Sequence, residues 1–322
     1  MSVVLGIMIH PHRIHSYERW QKWRGKFELT PEIRYVTGTG VAPSLFPSFQ
    51  VDGRENLPHV GKVSEKSFAW WLLPGNETWR CKIDDDTLVH LDRFMETMSR
   101  IPTEGEVPML FGYLKWRGWE FSEFKACGGV WGNAETWWSS EQKCPKASGP
   151  FPYAVGAMYC LSREARRLLA EDKDALAFLA TAQRRNDNAR LCTTSSECAN
   201  APSAERTWHH EDAGIAANLF RAAVNANSRL DYVATPGHFN DPFAIAYSER
   251  IPRWNSRALW VHGIKRRSLH IRAEKSWNTK RLMTLGKFIC VDPATVRWTE
   301  SRMVETAQRV NTSRWFRMCK FE

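Results

Sequence analysis

Short apolar runs, broken by Gly, Pro and clusters of charge, organise this chain. "SVVLGIMIH" is nearly all apolar and partly β-branched until His10 and Pro11 stop it, the pattern of a short buried strand. Behind it Tyr17, Trp20 and Trp23 recur at i, i+3 and i+6 in a polar stretch, which predicts a helix. "EIRYVTGTG" reads as a second strand ended by Gly38 and Gly40, and "EKSFAWWLLP" as a helix closing at Pro74. "RCKIDDDTLV" reads as a third strand that runs out into carboxylates, followed by the helix "LDRFMETMSR". "VPMLFGYLKW" and "YAVGAMYCLS" are two further strands, and a helix, "SREARRLLAEDKDALAFLATA", starts at Ser162. Residues 183–206 turn polar and rich in Ser, Asn and Ala, a surface insertion or mobile loop, before "EDAGIAANLFRAA" restores the helical period. Strands alternating with helices predict an α/β fold, a mostly parallel sheet with helices on both faces.

The 322 residues, 43% of them hydrophobic, suffice for one large domain or two small ones. No internal repeat or clear domain boundary appears. No window approaches the roughly 18 to 20 apolar residues of a membrane helix, and the N-terminus lacks the form of a signal peptide, so a soluble chain is expected. Forty-five Lys and Arg against 35 Asp and Glu give +10, an attraction for polyanions, anionic surfaces or small phosphorylated substrates. The eight cysteines leave the redox state open; Cys192 and Cys198 in "CTTSSEC" have the spacing of a short closed loop. Asn76-Glu77-Thr78 and Asn311-Thr312-Ser313 match the glycosylation pattern, which short motifs also reach by chance.

Three places could carry chemistry. The first is "CKIDDDTLV", where Asp84, Asp85 and Asp86 follow a buried strand. Acids there call for a counter-charge, and a divalent ion holding a diphosphate is one answer, since Mg²⁺ and Mn²⁺ take one or two carboxylates and fill the rest with water and phosphate. The plain alternative is a solvated turn in which Asp84 or Asp86 caps the next helix. The second is Trp208-His209-His210-Glu211-Asp212, where Asp212 is either a helix cap or a general base, and where His209, His210 and Glu211 are weighed as a zinc site without the i, i+4 spacing such sites favour. The third is Trp260-Val261-His262-Gly263-Ile264-Lys265-Arg266, a strand that delivers an imidazole ahead of a basic run. Gly156 lies in a strand where backbone would approach something closely. Most of the 16 tryptophans read as core, but Trp116, Trp119, Trp131, Trp137 and Trp138 stand in polar, Gly-rich surroundings that suit an aromatic platform for a sugar ring.

Over about residues 3 to 272 these pieces, in this order, resemble family 31 of the glycosyltransferases, the β-1,3-galactosyl- and N-acetylglucosaminyltransferase group with the Fringe-like enzymes. "CKIDDDTLV" is similar to the family's "lKvDDDvfv", and "GPFPYAVGAMYCLSREARRLL" to "yPpYvsGggyvlS.d.a..l". "HHEDAGIAANL" resembles "pxEDVyvGxcl", keeping Glu211 and Asp212 but not the residues after them. "LWVHGIKRRSL" resembles "iavHrvkpxem", and "RENLPHVGKVSEKSFAWW" the "Y-x-N-L-x-x-K-t…W" segment, with Lys62 as its lysine at a longer spacing.

The resemblance implies a GT-A fold over 1–272, with a nucleotide-binding half of about 1–115 and an acceptor half of about 116–272, and a basic, Trp-containing extension of 273–322 packed on it. It implies inverting transfer of a hexose from a UDP-sugar to an acceptor glycan with Mn²⁺ or Mg²⁺, through a β-linkage, O3 being the expected position. Asp212 would be the base, Asp86 and His262 metal ligands, and Asp84, Asp85, Lys62 and Lys265 contacts of the nucleotide; Gly156, Trp131 and Glu211 would face the acceptor sugar. No nucleic-acid partner is expected. The rival readings are a metal-dependent phosphoesterase or nucleotidyltransferase, which needs further acids for a second metal, and a basic nucleic-acid-binding protein. Location is expected to be cytoplasmic if Met1 is the native start, and the Golgi lumen if an N-terminal anchor has been removed.

Overall fold

A computed structural model describes residues 1–39, 44–55, 65–103, 107–121, 125–127, 148–189, 211–235, 259–261, 287–291 and 313–321. The first strands are β1 (Val3–Met8), β2 (Glu32–Thr39), β3 (Phe49–Arg54), β4 (Trp79–Asp84), β5 (Leu88–Val89) and β6 (Met109–Glu120). They are followed by β7 (Lys125–Cys127), β8 (Ser148–Ser162), β9 (Leu230–Ala234), β10 (Trp260–Val261), β11 (Phe288–Val291) and β12 (Phe316–Phe321). The helices are α1 (Ile14–Arg24), α2 (Glu65–Leu72), α3 (Leu91–Ser99), α4 (Arg163–Glu171), α5 (Lys173–Ala189) and α6 (Glu211–Asn225).

One mixed, mostly parallel sheet runs β11-β12-β9-β6-β8-β4-β1-β2-β3, with β7 paired to β6 off that path. Within the sheet β8 lies antiparallel between β4 and β6, and β7 and β11 run antiparallel to β6 and β12. An antiparallel neighbour needs no crossover helix, and the sequence between β6 and β8 carries no helical period. The last described segment also joins this sheet: β12 pairs parallel with β9, and β11 antiparallel with β12. Within 273–322 the described β11 and β12 are strands of this same sheet, and β6 spans residues 109–120.

Alternation along β1 sorts the core into two layers. Val3, Leu5 and Ile7 pack with Trp20 and Trp23 of α1 and Phe94 and Met98 of α3, whereas Val4 and Met8 pack with Phe68 and Trp70 of α2 and the buried faces of α4 to α6. This two-sided burial is why the strand reads as a continuous apolar run. At Gly6 a Cβ would fall 2.5 Å from the Trp70 ring, so only glycine lets α2 lie this close to the sheet. The Trp70 indole N–H then donates to the Cys81 carbonyl at 3.1 Å, and that of Trp23 to Val89 at 2.7 Å. Directly opposed cysteines bridge β4 to β8 (Cys81–Cys160) and β11 to β12 (Cys290–Cys319). Cys192 and Cys198 lie outside the described residues.

Three sequence expectations are corrected. The helix after Ser162 is broken: Asp172 adopts extended backbone, ends α4, and accepts the Ala175 N–H at 2.7 Å as the cap of α5. The helix then continues to Ala189, so the polar stretch taken as a loop begins as helix. Trp116 and Trp119 are buried against Phe316 and Phe178 and form no sugar platform; Trp131, Trp137 and Trp138 lie outside the described residues. Among the described residues, no helix is long and apolar enough to cross a membrane.

Candidate functional site

The strand order β3-β2-β1-β4 reverses direction between β1 and β4, and in open α/β sheets ligands bind beyond the carboxyl ends of strands at such a switch point. Met8 pairs with Asp84, so both strands end level there. The three acids form a tight turn closed by the Thr87 N–H on the Asp84 carbonyl at 3.0 Å. None of them caps α3, whose N-cap is His90 with no side-chain cap.

Protein cations meet the acids at Asp85 and Asp84. Arg13 Nη1 donates to both carboxylate oxygens of buried Asp85, at 3.0 and 2.7 Å, and Arg19 Nη2 to the Asp85 carbonyl at 2.6 Å. Lys82, 4% exposed, places its ammonium 2.7 Å from Asp84 Oδ1, 3.0 Å from Glu211 Oε2 and 2.6 Å from the Gly156 carbonyl. Burial opposes its charge, but Asp84 and Glu211 outweigh that and raise its pKa above the usual lysine value.

The third element is the N-terminus of α6. Glu211 accepts from the Tyr159 hydroxyl, which in turn accepts the Trp71 indole N–H at 3.2 Å. Burial pushes the Glu211 carboxyl up, against the pull of Lys82, and burial followed by Glu211 pushes the Tyr159 phenol up, keeping it a donor. Asp212, half-buried, accepts the Gly156 N–H at 3.0 Å through Oδ2 and the Ala213 N–H at 2.8 Å through Oδ1. Each carboxylate oxygen has a second lone-pair direction, so these bonds orient the group without exhausting it. Two carboxylates in the first turn also suit the positive end of the helix dipole.

A bulge in β8 makes this meeting possible. The register with β6 jumps between Leu114–Ala154 and Gly112–Tyr159, and that with β4 begins at Met158, so residues 155–157 pair with neither strand. Their polar groups turn to the site: the Gly156 N–H to Asp212, its carbonyl to Lys82, and the Ala157 carbonyl to the Thr87 hydroxyl at 3.2 Å. Close approach does not demand glycine at 156, since a Cβ there would stand 3.4 Å from Asp212 Oδ2, an ordinary contact.

Of the sequence-derived candidates, Asp84, Asp85, Asp86, Gly156, Glu211 and Asp212 come to one edge of the sheet. Lys62, Trp131, His209, His210, His262 and Lys265 lie outside the described residues. The two residues before His262 are described: β10 pairs antiparallel with β5, Trp260 opposite Val89 and Val261 opposite Leu88, directly after the acidic turn. Sequence reasoning overlooked Lys82, Arg13 and Lys66. Lys82 sits two residues before Asp84, on the same side of β4, and that spacing was the available signal. Lys66 donates to Glu55 at 2.8 Å and to the Ile9 carbonyl at 3.2 Å, while Glu55 accepts the Gly38 N–H, so the ends of β1 and β2 are tied together beside the turn. Burial, opposed by Glu55, lowers the Lys66 pKa.

A separate pocket of about 280 Å³, lined among others by Thr78, Ser162 and Arg163, lies at the opposite end of β4. The buried Asp231 stands near Cys290 and Cys319, but those sulfurs are joined and Asp231 pairs with Arg317 at 2.8 Å, so the three do not make a convincing metal site. No protein-family model matches the chain, and no curated protein does.

Proposed function

We propose that the protein is an inverting, metal-dependent glycosyltransferase of GT-A type that moves a hexose from a UDP-sugar to a glycan hydroxyl through a β-linkage. The observation that carries this reading is the meeting of the acidic turn with the Glu211–Asp212 helix start, joined through Lys82 to a residue 129 positions away. Inverting transfer asks for such a pair of sites, one for a leaving diphosphate and one for a base on the opposite face of the anomeric carbon.

The donor set suits a hard divalent cation. Asp84, Asp85, Asp86, Glu211 and Asp212 gather at one strand end, with Lys82 on Asp84 and Glu211, and Arg13 and Arg19 on Asp85. Half-buried Asp86 offers the oxygen donor that Mn²⁺ or Mg²⁺ prefers, and the β5–β10 pairing brings the strand before His262 alongside. Bound there, such an ion supplies neutralisation of the charge growing on the diphosphate. Asp212, held by two backbone N–H groups, takes the proton from the attacking hydroxyl. Asp84, fixed by Lys82, faces the nucleotide side; Arg13 and Arg19 hold the turn through Asp85. A two-metal phosphoesterase is disfavoured, because Glu211, the acid it would recruit, is already engaged by Lys82 and Tyr159.

The test is a panel of UDP-sugars with glycan acceptors, assayed for UDP release with Mn²⁺ and with EDTA. Release requires the ion, is lost in Asp86→Ala, and falls by ~10²–10⁴-fold in Asp212→Asn, the usual range for a general base. Full transfer by Asp212→Asn would sink the base assignment.

A further inference from the structure

We infer that Lys82 is a positioning residue, a buried latch that fixes the start of α6, and with it Asp212, against the acidic turn. All three N–H donors of an ammonium are used here, on Asp84, the Gly156 carbonyl and Glu211, so none remains for a substrate. The latch is double. Lys82 holds Glu211 directly, and it holds the Gly156 peptide by its carbonyl while the N–H of that peptide holds Asp212. Because 155–157 pair with neither β6 nor β4, no sheet ladder fixes this peptide, and its position follows from Lys82 and Asp212. Tyr159 and Trp71 back Glu211 from the other side, so the carboxylate reaches Lys82 in one orientation. The separation between the turn that would hold a leaving group and the carboxylate that would take the proton is thus set by one side chain that touches neither reactant.

The kinetic part of this inference rests on the transferase reading; the latch itself does not. Three variants are compared with the wild type: Lys82→Met, Glu211→Gln, and the double variant, in which no carboxylate at 211 is left without its cation. Amide hydrogen exchange reads the latch. In the double variant, at matched stability, the Gly156 and Ala213 amides exchange at least about tenfold faster than in wild type, while core amides such as that of Tyr232 do not change. Equal protection at Gly156 and Ala213 overturns the latch, whatever the protein's activity. Kinetics read its consequence: kcat falls about 100-fold in the double variant, the scale of a misplacement of about 1 Å. The donor KM rises by less than kcat falls, the rise reporting Asp84, which Lys82 also holds. Recovery of wild-type kcat when the double variant regains stability would reduce Lys82 to charge balance and overturn the positioning role. If the wild type releases no UDP from any UDP-sugar, the transferase reading fails and the exchange result still decides the latch.

Discussion

Two buried cations stand two residues apart on β4, on the same side of the strand, and they do opposite things. Arg80, fully buried, is satisfied from nearby: it donates to the carbonyls of Trp70 and Leu73 at 2.7 and 2.8 Å, pairs with Glu77, and stacks on Trp70 at 5.0 Å. Arg166 shares the same Glu77 at 3.0 Å, and burial, then Arg80, pull its guanidinium down to about 10, still protonated at neutral pH. Lys82 instead reaches 74 residues along the chain to Gly156 and 129 to Glu211. At the Arg80 end two guanidiniums share one carboxylate and local carbonyls. At the Lys82 end one ammonium joins two carboxylates, Asp84 and Glu211, from distant parts of the chain. Burial alone therefore does not separate the two ends; the reach of the partners does.

Removing each cation should separate the two ends most sharply. Arg80→Met leaves half-buried Glu77 with Arg166 alone and strips the carbonyls of their donor, so urea denaturation should show a loss of about 2–4 kcal/mol, with unchanged turnover per folded molecule. A drop in that turnover would erase the distinction between the two ends. A smaller effect belongs to His90, which lies beside the acidic turn without entering the cluster. Burial, then Arg93, lowers its pKa to about 4 from an ordinary 6.5. The neutral form is favoured by the fold, so stability is full above pH 6.5 and is lost as the pH falls towards 4. Between pH 7 and 5 this amounts to ~2 kcal/mol, and His90→Gln should flatten that part of the stability profile. An unchanged slope in the variant would assign the loss to other groups. The smallest effect is expected at Gly156→Ala: its Cβ finds ordinary contact distance, so the melting temperature should move by the equivalent of under about 1 kcal/mol. A large loss would mean the bulge has no room for a methyl group.

The sequence was most legible where one periodicity ruled. β1, β2, α2, α3 and α6 follow their apolar patterns closely, because each buries a face, or both, against one layer. β4 was harder. Arg80, Lys82 and Asp84 alternate with Trp79, Cys81 and Ile83, a pattern that ordinarily means one solvated face, yet both faces are covered. Arg80 survives there through partners close in sequence, but Lys82 also pairs with Gly156 and Glu211, and pairing across the fold leaves no local signal. β11 and β12 were missed for a related reason: an edge strand adding to a sheet far from its own position is set by tertiary register, not by a turn motif. The acidic turn was found by its composition, but its counter-charge was sought only in a metal; Lys82 and Arg13 supply part of it. Asp212 was found through its motif, and what orients it, the freed peptide of Gly156, depends on a bulge that one strand's sequence does not mark.

The most direct test of the central claim is calorimetric titration of UDP into the protein in the presence of Mn²⁺ and again in EDTA. The account predicts saturable one-site binding with Mn²⁺ that weakens at least about tenfold in EDTA and in Asp86→Ala, as expected when an ion bridges carboxylate and diphosphate. UDP binding that is absent, or equally strong without the ion and without the Asp86 carboxylate, would contradict it.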